Sequence, residues 1–254
     1  MTEALTVSAI QYQALAGGLM PNLEEHVRLI EDAESHGARL VIFPEMSITG
    51  YNLGLLATDD AWLGADDARL GDLREICRRT GITAVAGAAY REPDGTPRLA
   101  SLAVHPNGTT DVAFKTHLHG PEREVFAAGG GPLLLHLDGW RIALAVCADA
   151  SVPAHSTEAA LAGADAYAVS AVYTRVEASR LALHLGASAM DNRMFGILAN
   201  MGGATTAGPS CGLSGFWGPD GLPMKQAAGT GTEVVTAVLQ KSALRKFRGS
   251  TAAI

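Results

Sequence analysis

The sequence predicts an α/β protein in which two mixed β-sheets pack together and carry helices on their outer faces. Short apolar runs rich in β-branched residues alternate with segments of helical periodicity, as in parallel sheets with crossover helices. Other apolar runs are paired around Pro-Asp-Gly or Pro-Asn-Gly turns, which is typical of antiparallel hairpins. With 254 residues, 48% of them hydrophobic and 18% charged, the chain suits one large core. We expect a single domain over residues 1–254, with a short C-terminal tail from about residue 241.

The first half of the chain is predicted to start as strand, helix, strand and to continue in that alternation. Gly37 marks the end of the first helix, and Pro44 closes the second strand. The turn signals at residues 93–95 and 106–108 indicate two successive hairpins. The predicted elements are strand 5–12, helix 22–36, strand 40–43, helix 67–80, and strands 83–89, 99–105 and 110–114.

The second half is centred on an apolar run that ends at Cys147. Gly139 before this run and Pro153 after it favour a short buried strand over a helix. Further alternation follows, and the chain closes with a hairpin whose turn is expected at residues 219–221. The predicted elements are strand 142–146, helix 156–162, strand 166–170, helix 176–191, strand 195–200, and hairpin strands 212–217 and 234–239.

Composition argues against several classes of protein. The formal net charge of −7 and the scattered basic residues argue against a nucleic-acid-binding surface. No apolar run reaches the roughly 18 residues of a membrane span, and the N-terminal residues lack the pattern of a secretion signal. The three cysteines, Cys77, Cys147 and Cys211, show neither metal-ligand spacing nor a disulfide framework. We therefore expect a cytoplasmic protein without a membrane or nucleic-acid partner.

Two further patterns carry no cofactor signal. His117, His119 and His136 do not have the spacing of a standard metal site. The glycine run at residues 129–131 lacks the strand-to-helix frame and the downstream lysine of a phosphate loop. The sequence therefore predicts no metal and no cofactor.

Three reactive side chains, Glu45, Lys115 and Cys147, each follow an apolar strand. If these strands lie side by side, the three side chains converge at one edge of a sheet. A cysteine attacks as a thiolate, and a buried carboxylate with a raised pKa can take its proton. A nearby lysine can donate to the oxygen that becomes negative when a carbonyl or nitrile carbon is attacked, and the backbone amide of Ala148 is a natural second donor.

The order and spacing of these blocks resemble the nitrilase, or carbon–nitrogen hydrolase, superfamily over residues 5 to about 239. Single blocks are weak signals, but their combination is specific. The matching blocks are Val-Ile-Phe-Pro-Glu at 41–45 with Thr-Gly-Tyr at 49–51, Phe-Lys-Thr-His-Leu at 114–118, Gly-Trp-Arg-Ile-Ala-Leu-Ala-Val-Cys-Ala-Asp at 139–149, Asp-Asn-Arg at 191–193, Ala-Asn at 199–200, and Gly-Leu-Ser at 212–214.

The resemblance implies a role for each member of this constellation. Glu45 is expected to be the general base, Lys115 the oxyanion stabiliser and Cys147 the nucleophile. A second glutamate that orients the lysine is implied just after the lysine block, and Glu122 fits that place best, with Glu124 as the alternative. The family fold is a four-layer αββα sandwich that pairs through its helices, so a homodimer or a higher homo-oligomer is expected.

The sequence departs from the usual family pattern after the nucleophile. Many members carry an aromatic residue directly after the cysteine and then Phe-Pro-Glu, but here residues 147–155 read Cys-Ala-Asp-Ala-Ser-Val-Pro-Ala-His. The departure leaves the substrate undefined. The candidate substrate-binding residues, taken from this loop, from the segment after the next strand and from the first block, are Ala148, Ser151, Val172, Tyr173 and Tyr51.

The sequence favours a cysteine-dependent amidase that acts on a small linear amide through a thioester acyl-enzyme. Nitrilase chemistry and hydrolysis of an N-carbamoyl group are alternatives, because one triad serves all three reactions in relatives. An alternative of another class is a catalytically silent protein that binds a metabolite or assists an assembly. The intact set of three reactive residues argues against that alternative.

Overall fold

Residues 2–64 and 66–249 are described by the computed structural model of the protein. Residues 1, 65 and 250–254 of the predicted domain lie outside the described part. Among the described residues, no helix combines the length and apolar character that crossing a bilayer requires. The helices are α1 (Leu19–Ser35), α2 (Gly71–Thr80), α3 (Glu122–Val125), α4 (Pro153–Leu161), α5 (Ala178–Asn192) and α6 (Lys241–Gly249). The strands are β1 (Ala4–Gln11), β2 (Leu40–Ile42), β3 (Thr83–Arg91), β4 (Pro97–Val104), β5 (Thr110–Phe114), β6 (Leu133–Leu137), β7 (Trp140–Val146), β8 (Ala166–Ala171), β9 (Phe195–Asn200), β10 (Ala204–Thr205), β11 (Gly208–Pro209), β12 (Gly215–Trp217), β13 (Pro223–Gln226) and β14 (Glu233–Gln240).

The first sheet has the strand order β14-β1-β2-β3-β4-β5. Strands β1, β2 and β3 are parallel, and α1 and α2 connect them. The hairpins at residues 93–95 and 106–108 then add β4 and β5 as antiparallel neighbours. Because β4 and β5 each reverse direction, β5 runs the same way as β2, and the C-terminal ends of these two strands lie at the same end of the sheet.

The second sheet has the strand order β13-β12-β9-β8-β7-β6. Strands β7, β8 and β9 are parallel, with α4 and α5 as the crossover helices. Strands β6 and β12 pair antiparallel with β7 and β9, so this sheet is also mixed. Cys147 directly follows β7, near the edge of the sheet that β6 forms.

Three apolar layers hold the elements together. Between the sheets, residues such as Val7 and Ile42 of the first sheet pack with Ile142 and Phe195 of the second. The outer face of the first sheet packs against α1 and α2, and the outer face of the second packs against α4 and α5. The order is helix, sheet, sheet, helix, which confirms the predicted four-layer αββα sandwich. Cys77 is fully buried on α2, where it serves as packing.

The predicted closing hairpin is wrong. The turn at residues 219–221 joins β12 to β13, whereas β14 pairs with β1 in the other sheet. The physical reason is that β13 is a short, largely exposed strand without an apolar run, whereas the stronger apolar pattern of residues 234–239 makes them the expected partner of β12. The sequence reasoning also missed β6, which pairs along its length with β7.

Candidate active site

Glu45 lies in the segment that follows β2, and its side chain is wholly buried. This segment passes so close to Gly87 of β3 that a Cβ atom there would lie 2.3 Å from both Pro44 O and Met46 N. The Gly87 N–H donates to Ser47 Oγ at 3.1 Å, which ties the segment to the strand. Glycine is therefore required at position 87 to let the carboxylate turn into the space between the sheets.

Lys115 follows β5, and only 1% of it is exposed. Its N–H donates to Leu99 O at 2.8 Å, and its carbonyl accepts from Gly129 N at 2.8 Å. A Cβ atom on Gly129 would lie 2.6 Å from Phe114 O, so this position also depends on a small residue. The backbone of Lys115 is thus held on both sides, and its side chain extends inward.

Cys147 begins the short 3₁₀ turn Cys147–Ser151 at the end of β7. Its φ of +48° lies in the left-handed region that L-residues rarely adopt. The thiol lies 3.9 Å from Val172 O, and the Tyr173 hydroxyl donates to Cys147 O at 3.4 Å. The sharp turn directs the thiol away from the path of the strand and into a cavity.

The predicted convergence occurs, but not at one sheet edge. Glu45 and Lys115 follow β2 and β5 of the first sheet, which two intervening strands separate, whereas Cys147 follows β7 of the second sheet. The expectation that the three strands lie side by side is therefore wrong. The side chains meet between the facing sheets, at the end where β2, β5 and β7 all finish.

A buried ion cluster occupies this meeting point. Lys115 Nζ donates to Glu45 Oε1 at 2.7 Å and to Glu122 Oε1 at 2.8 Å. The Tyr51 hydroxyl also donates to Glu122 Oε1 at 2.7 Å, and the backbone N–H of His119 donates to Glu122 Oε2 at 2.8 Å. Glu122 is thus saturated with donors.

The structure places Glu122, rather than Glu124, against the lysine. Glu122 is 1% exposed and begins α3, whereas Glu124 faces solvent on the same short helix. The sequence left both glutamates open, because it does not show which way each side chain of a short helix faces.

The two oxygens of Glu45 differ sharply. Oε1 accepts from Lys115, whereas Oε2 is buried and has no hydrogen-bond partner among the described residues. The Cys147 thiol nevertheless lies close enough to lower the pKa of the Glu45 carboxyl group and so to favour its charged form. The Glu45 carboxylate is therefore close to Cys147 and retains one oxygen with no hydrogen-bond partner among the described residues.

Burial and charge set the proton affinities in the cluster. Burial raises the pKa of Glu45 to about 7, against the lowering effect of Lys115. Burial, reinforced by the charge of Glu45, raises the pKa of Cys147 well above its ordinary value, so the resting thiol is neutral. Burial opposes the charge on Lys115, but Glu45, Cys147 and Glu122 outweigh it and raise the pKa of the lysine well above its ordinary value.

A cavity of about 110 Å³ opens in front of Cys147. All five residues predicted to bind substrate line it, namely Tyr51, Ala148, Ser151, Val172 and Tyr173. The cavity therefore suits a small molecule.

Sequence reasoning missed four residues that line the cavity: His119, Glu177, Arg180 and Ala207. Glu177 accepts from Thr174 N at 3.0 Å and from Thr174 Oγ1 at 2.9 Å, in a capping box ahead of α5. A capping box is visible in the sequence as Thr-x-x-Glu, but nothing in that pattern shows that the start of the helix faces Cys147. Arg180 donates to Glu177 Oε1 at 3.2 Å.

Within residues 2–64 and 66–249, no group of three or more His, Cys, Asp or Glu side chains is arranged to hold a metal ion. His117 instead contacts the Asp149 carboxylate, with 2.9 Å between Nδ1 and Oδ1.

Comparison with known proteins agrees with this geometry. The family described as carbon-nitrogen hydrolase matches residues 6–249. A nitrilase from Pyrococcus abyssi is 27% identical over 232 residues, which are 89% of this chain and 86% of the nitrilase. The fold resembles Nit3 of Saccharomyces cerevisiae, a nitrilase-superfamily member, with a TM-score of 0.91, 20% identity, and coverage of 99% of this chain and 96% of Nit3.

An amidase from Nesterenkonia sp. AN1 has a similar structure. The TM-score is 0.84 at 25% identity, over 96% of this chain and 97% of the amidase. In that structure, of a variant protein, acrylamide has added to the active-site cysteine.

Proposed function

The chain belongs to the carbon–nitrogen hydrolase family, and from that premise we propose that it is a cysteine-dependent amidase acting on small linear amides through a thioester acyl-enzyme. Similarity to an amidase and to a nitrilase supports the coarse reaction class. The small cavity in front of Cys147 supports a small substrate.

One observation carries the assignment of roles. Of the carboxylates in the cluster, Glu122 accepts from three donors, whereas Glu45 keeps one buried oxygen that has no partner within residues 2–64 and 66–249. An ammonium group such as that of Lys115 has no lone pair with which to take a proton. Glu45 is therefore the group that can accept the thiol proton, and its pKa of about 7 matches that task near neutral pH.

In the first half-reaction, the proton of Cys147 moves to Glu45 as the sulfur bonds to the amide carbon. The carbonyl oxygen becomes negative and accepts from Lys115 and from the backbone amide of Ala148. The carbonyl then re-forms, the C–N bond breaks, and the nitrogen leaves as ammonia or an amine with the proton from Glu45. A thioester on Cys147 remains.

In the second half-reaction, Glu45 removes a proton from water as the water oxygen attacks the thioester carbon. Collapse of that intermediate breaks the C–S bond, releases the carboxylic acid, and returns a proton to the sulfur. Glu122 keeps Lys115 directed at the oxyanion throughout, since its own oxygens are fixed by Tyr51 and by the His119 amide.

Covalent capture tests this proposal. The protein is incubated with formamide, butyramide and acrylamide, and with matched nitriles and N-carbamoyl compounds, and ammonia release and intact mass are measured. Wild-type protein is expected to turn over amides, and Cys147→Ala is expected to be inactive and to form no adduct. Cys211→Ala, which removes another half-buried thiol outside the cavity, is the matched control. Full turnover by Cys147→Ala would end the proposal, and preferred turnover of nitriles or N-carbamoyl compounds would replace the amidase assignment.

We also propose that the protein forms a homodimer through the helices that cover the second sheet. Three apolar side chains, seven residues apart around α5, are exposed: Val176 by 94%, Leu183 by 69% and Met190 by 53%. Leu161, at the end of α4, is 83% exposed. An apolar stripe of this kind is typical of a surface that another molecule covers. Sedimentation of the wild type and of Leu183→Glu tests the proposal, because a monomeric wild type would contradict it.

The three cysteines are unpaired in the structure. Free thiols are compatible with the proposed cytoplasmic location, where disulfides are rare.

A further inference from the structure

Asp149, two residues after the nucleophile, joins the lysine segment to the cysteine segment. It is 1% exposed. Its Oδ1 accepts from the backbone N–H of His117 at 2.7 Å and from His117 Nδ1 at 2.9 Å. Its Oδ2 accepts from the backbone N–H of Val146 at 3.0 Å and, at 3.4 Å, from that of Thr116. One carboxylate therefore holds both the residue before Cys147 and the residues just after Lys115.

This connection matters because no strand pairing fixes the two segments relative to each other. Lys115 follows the edge strand β5 of the first sheet, and Cys147 follows β7 of the second. Apolar packing between sheets is not directional, whereas hydrogen bonds from N–H groups to an ionised carboxylate are short, strong and directional.

We propose that Asp149 is a positioning residue, which sets the separation between the Lys115 ammonium and the Cys147 sulfur by binding the backbone on both sides. The inference deepens the proposed hydrolase function and rests on it. Asp149 acts through Val146 and His117 and does not itself meet the substrate, because it is absent from the lining of the catalytic cavity.

The groups around Asp149 fit a structural anchor rather than a second reactive centre. The His117 side chain is 37% exposed, so one of its faces reaches solvent. His155 Nε2 lies 3.8 Å from Asp149 Oδ2, too far for a hydrogen bond, and its Nδ1 contacts the Tyr167 hydroxyl at 2.8 Å. Burial lowers the pKa of His155, which keeps that ring neutral beside the carboxylate.

Asp149→Asn is the direct test. Asparagine keeps the shape but turns an NH₂ group toward one of the N–H donors, which releases one of the two segments. If Lys115 moves by about 1 Å relative to the sulfur, kcat is expected to fall by roughly 100-fold, with KM changed by less than about twofold. The alkylation rate of Cys147 by iodoacetamide, measured against pH, is expected to shift to higher pH, because Lys115 lowers the pKa of that thiol.

Asp165→Asn is the matched control. Asp165 is also a buried carboxylate, and it accepts from Arg141 N at 3.0 Å and from Lys241 Nζ at 2.6 Å. It anchors the opposite end of β7, so it shares the chemistry of Asp149 but not its connection to Lys115. This variant is expected to unfold at lower temperature while its kcat and its alkylation profile stay those of the wild type.

Two outcomes overturn the inference. In the first, Asp149→Asn keeps the kcat and the alkylation profile of the wild type. In the second, Asp149→Asn and Asp165→Asn show equal shifts in kcat and in the alkylation profile. Should Asp149→Asn fail to fold, Asp149→Glu decides, because it keeps the charge but moves the carboxylate outward by one methylene and so displaces one of the two backbone segments: a profile shifted to higher pH supports the inference, and an unshifted profile refutes it. Alkylation needs no substrate, so the positioning role can fail while amide turnover by the wild type and its loss in Cys147→Ala still stand.

Discussion

Replacing Gly87 by alanine is expected to displace Glu45, the proposed catalytic base. The new Cβ would lie 2.3 Å from Pro44 O and from Met46 N, and 2.7 Å from Glu45 C. Such separations are about 1 Å shorter than ordinary contact distances. The strand cannot simply move away, because Gly87 donates to Ser47 Oγ at 3.1 Å and accepts from Ile48 N at 3.0 Å.

The size of both effects follows from this overlap. Overpacking of this kind costs about 1–3 kcal/mol of unfolding free energy, and each kcal/mol lowers Tm by about 2–4 °C in a chain of this size. A displacement of about 1 Å at a reacting group can reduce turnover by roughly 100-fold. We therefore expect Gly87→Ala to fold, to lose roughly 2–12 °C of Tm and to retain about 1% of kcat.

Thermal unfolding and amide turnover, measured on the same preparations, test this prediction. Gly71→Ala is the matched control, since an added Cβ at the start of α2 meets nothing within 4 Å. It is expected to keep the Tm and the kcat of the wild type. Wild-type turnover by Gly87→Ala would refute the reasoning that the close approach at Gly87 fixes Glu45.

Four further predictions concern the cluster and the cavity. Because the Glu45 pKa is raised to about 7 and the base must be ionised, kcat/KM is expected to fall as pH drops from 8 to 5. The same raised pKa means that the folded state binds more protons than the unfolded state below pH 7. The unfolding free energy of the wild type, measured relative to that of Glu45→Gln, should therefore decrease as pH rises from 5 to 8. A difference that stays constant over this range would contradict the raised pKa. Tyr51→Phe removes the hydroxyl that donates to Glu122 at 2.7 Å. It is expected to lower the unfolding free energy by about 1.5–3 kcal/mol in urea titrations and to reduce kcat. Unchanged values would show that this hydrogen bond contributes to neither stability nor turnover. Arg180→Gln is expected to raise KM for an amide with a carboxylate at its far end and not for a neutral amide of equal length. Arg175→Gln, which changes an exposed arginine, is the control. Equal effects in both variants would show that only the overall charge matters.

The bounds of some strands could be predicted closely from the sequence. The runs at residues 110–114 and 195–200 predict strands with the bounds that β5 and β9 have in the structure. Apolar and β-branched runs bounded by turn signals determine such elements locally.

Strand partnership was harder, because it is decided by contacts between distant residues. The run at residues 234–239 was correctly predicted as a strand, yet it pairs with β1, more than 200 positions earlier in the chain. A turn signal such as the one at residues 219–221 indicates that two strands pair. It does not show which segment becomes the second strand when that segment, like β13, is short and exposed and forms only by pairing with the edge of a sheet.

The same distinction applies to the candidate site. Glu45, Lys115 and Cys147 could be singled out because each follows an apolar strand, and the structure brings Glu45 and Lys115 within 2.7 Å. Asp149 was visible only as part of the cysteine block. Its importance depends on the backbone N–H groups that donate to it, one of them from another segment. The sequence does not show which backbone N–H groups bind a carboxylate, because every residue except proline has one.

Backbone strain is the feature of the site that is hardest to predict from the amino-acid sequence. Met46 and Cys147, neither of them a residue that favours the left-handed region, have φ values of +49° and +48°. Each belongs to one of the two turns that carry Glu45 and Cys147 into the space between the sheets. Such conformations cost on the order of 1–3 kcal/mol and persist only where the surroundings enforce them. Burial of the Met46 side chain, the contact of Gly87 with one turn and the bonds of Asp149 to the other supply that enforcement. The relative positions of Glu45 and Cys147 are therefore maintained by residues that take no part in the proposed reaction.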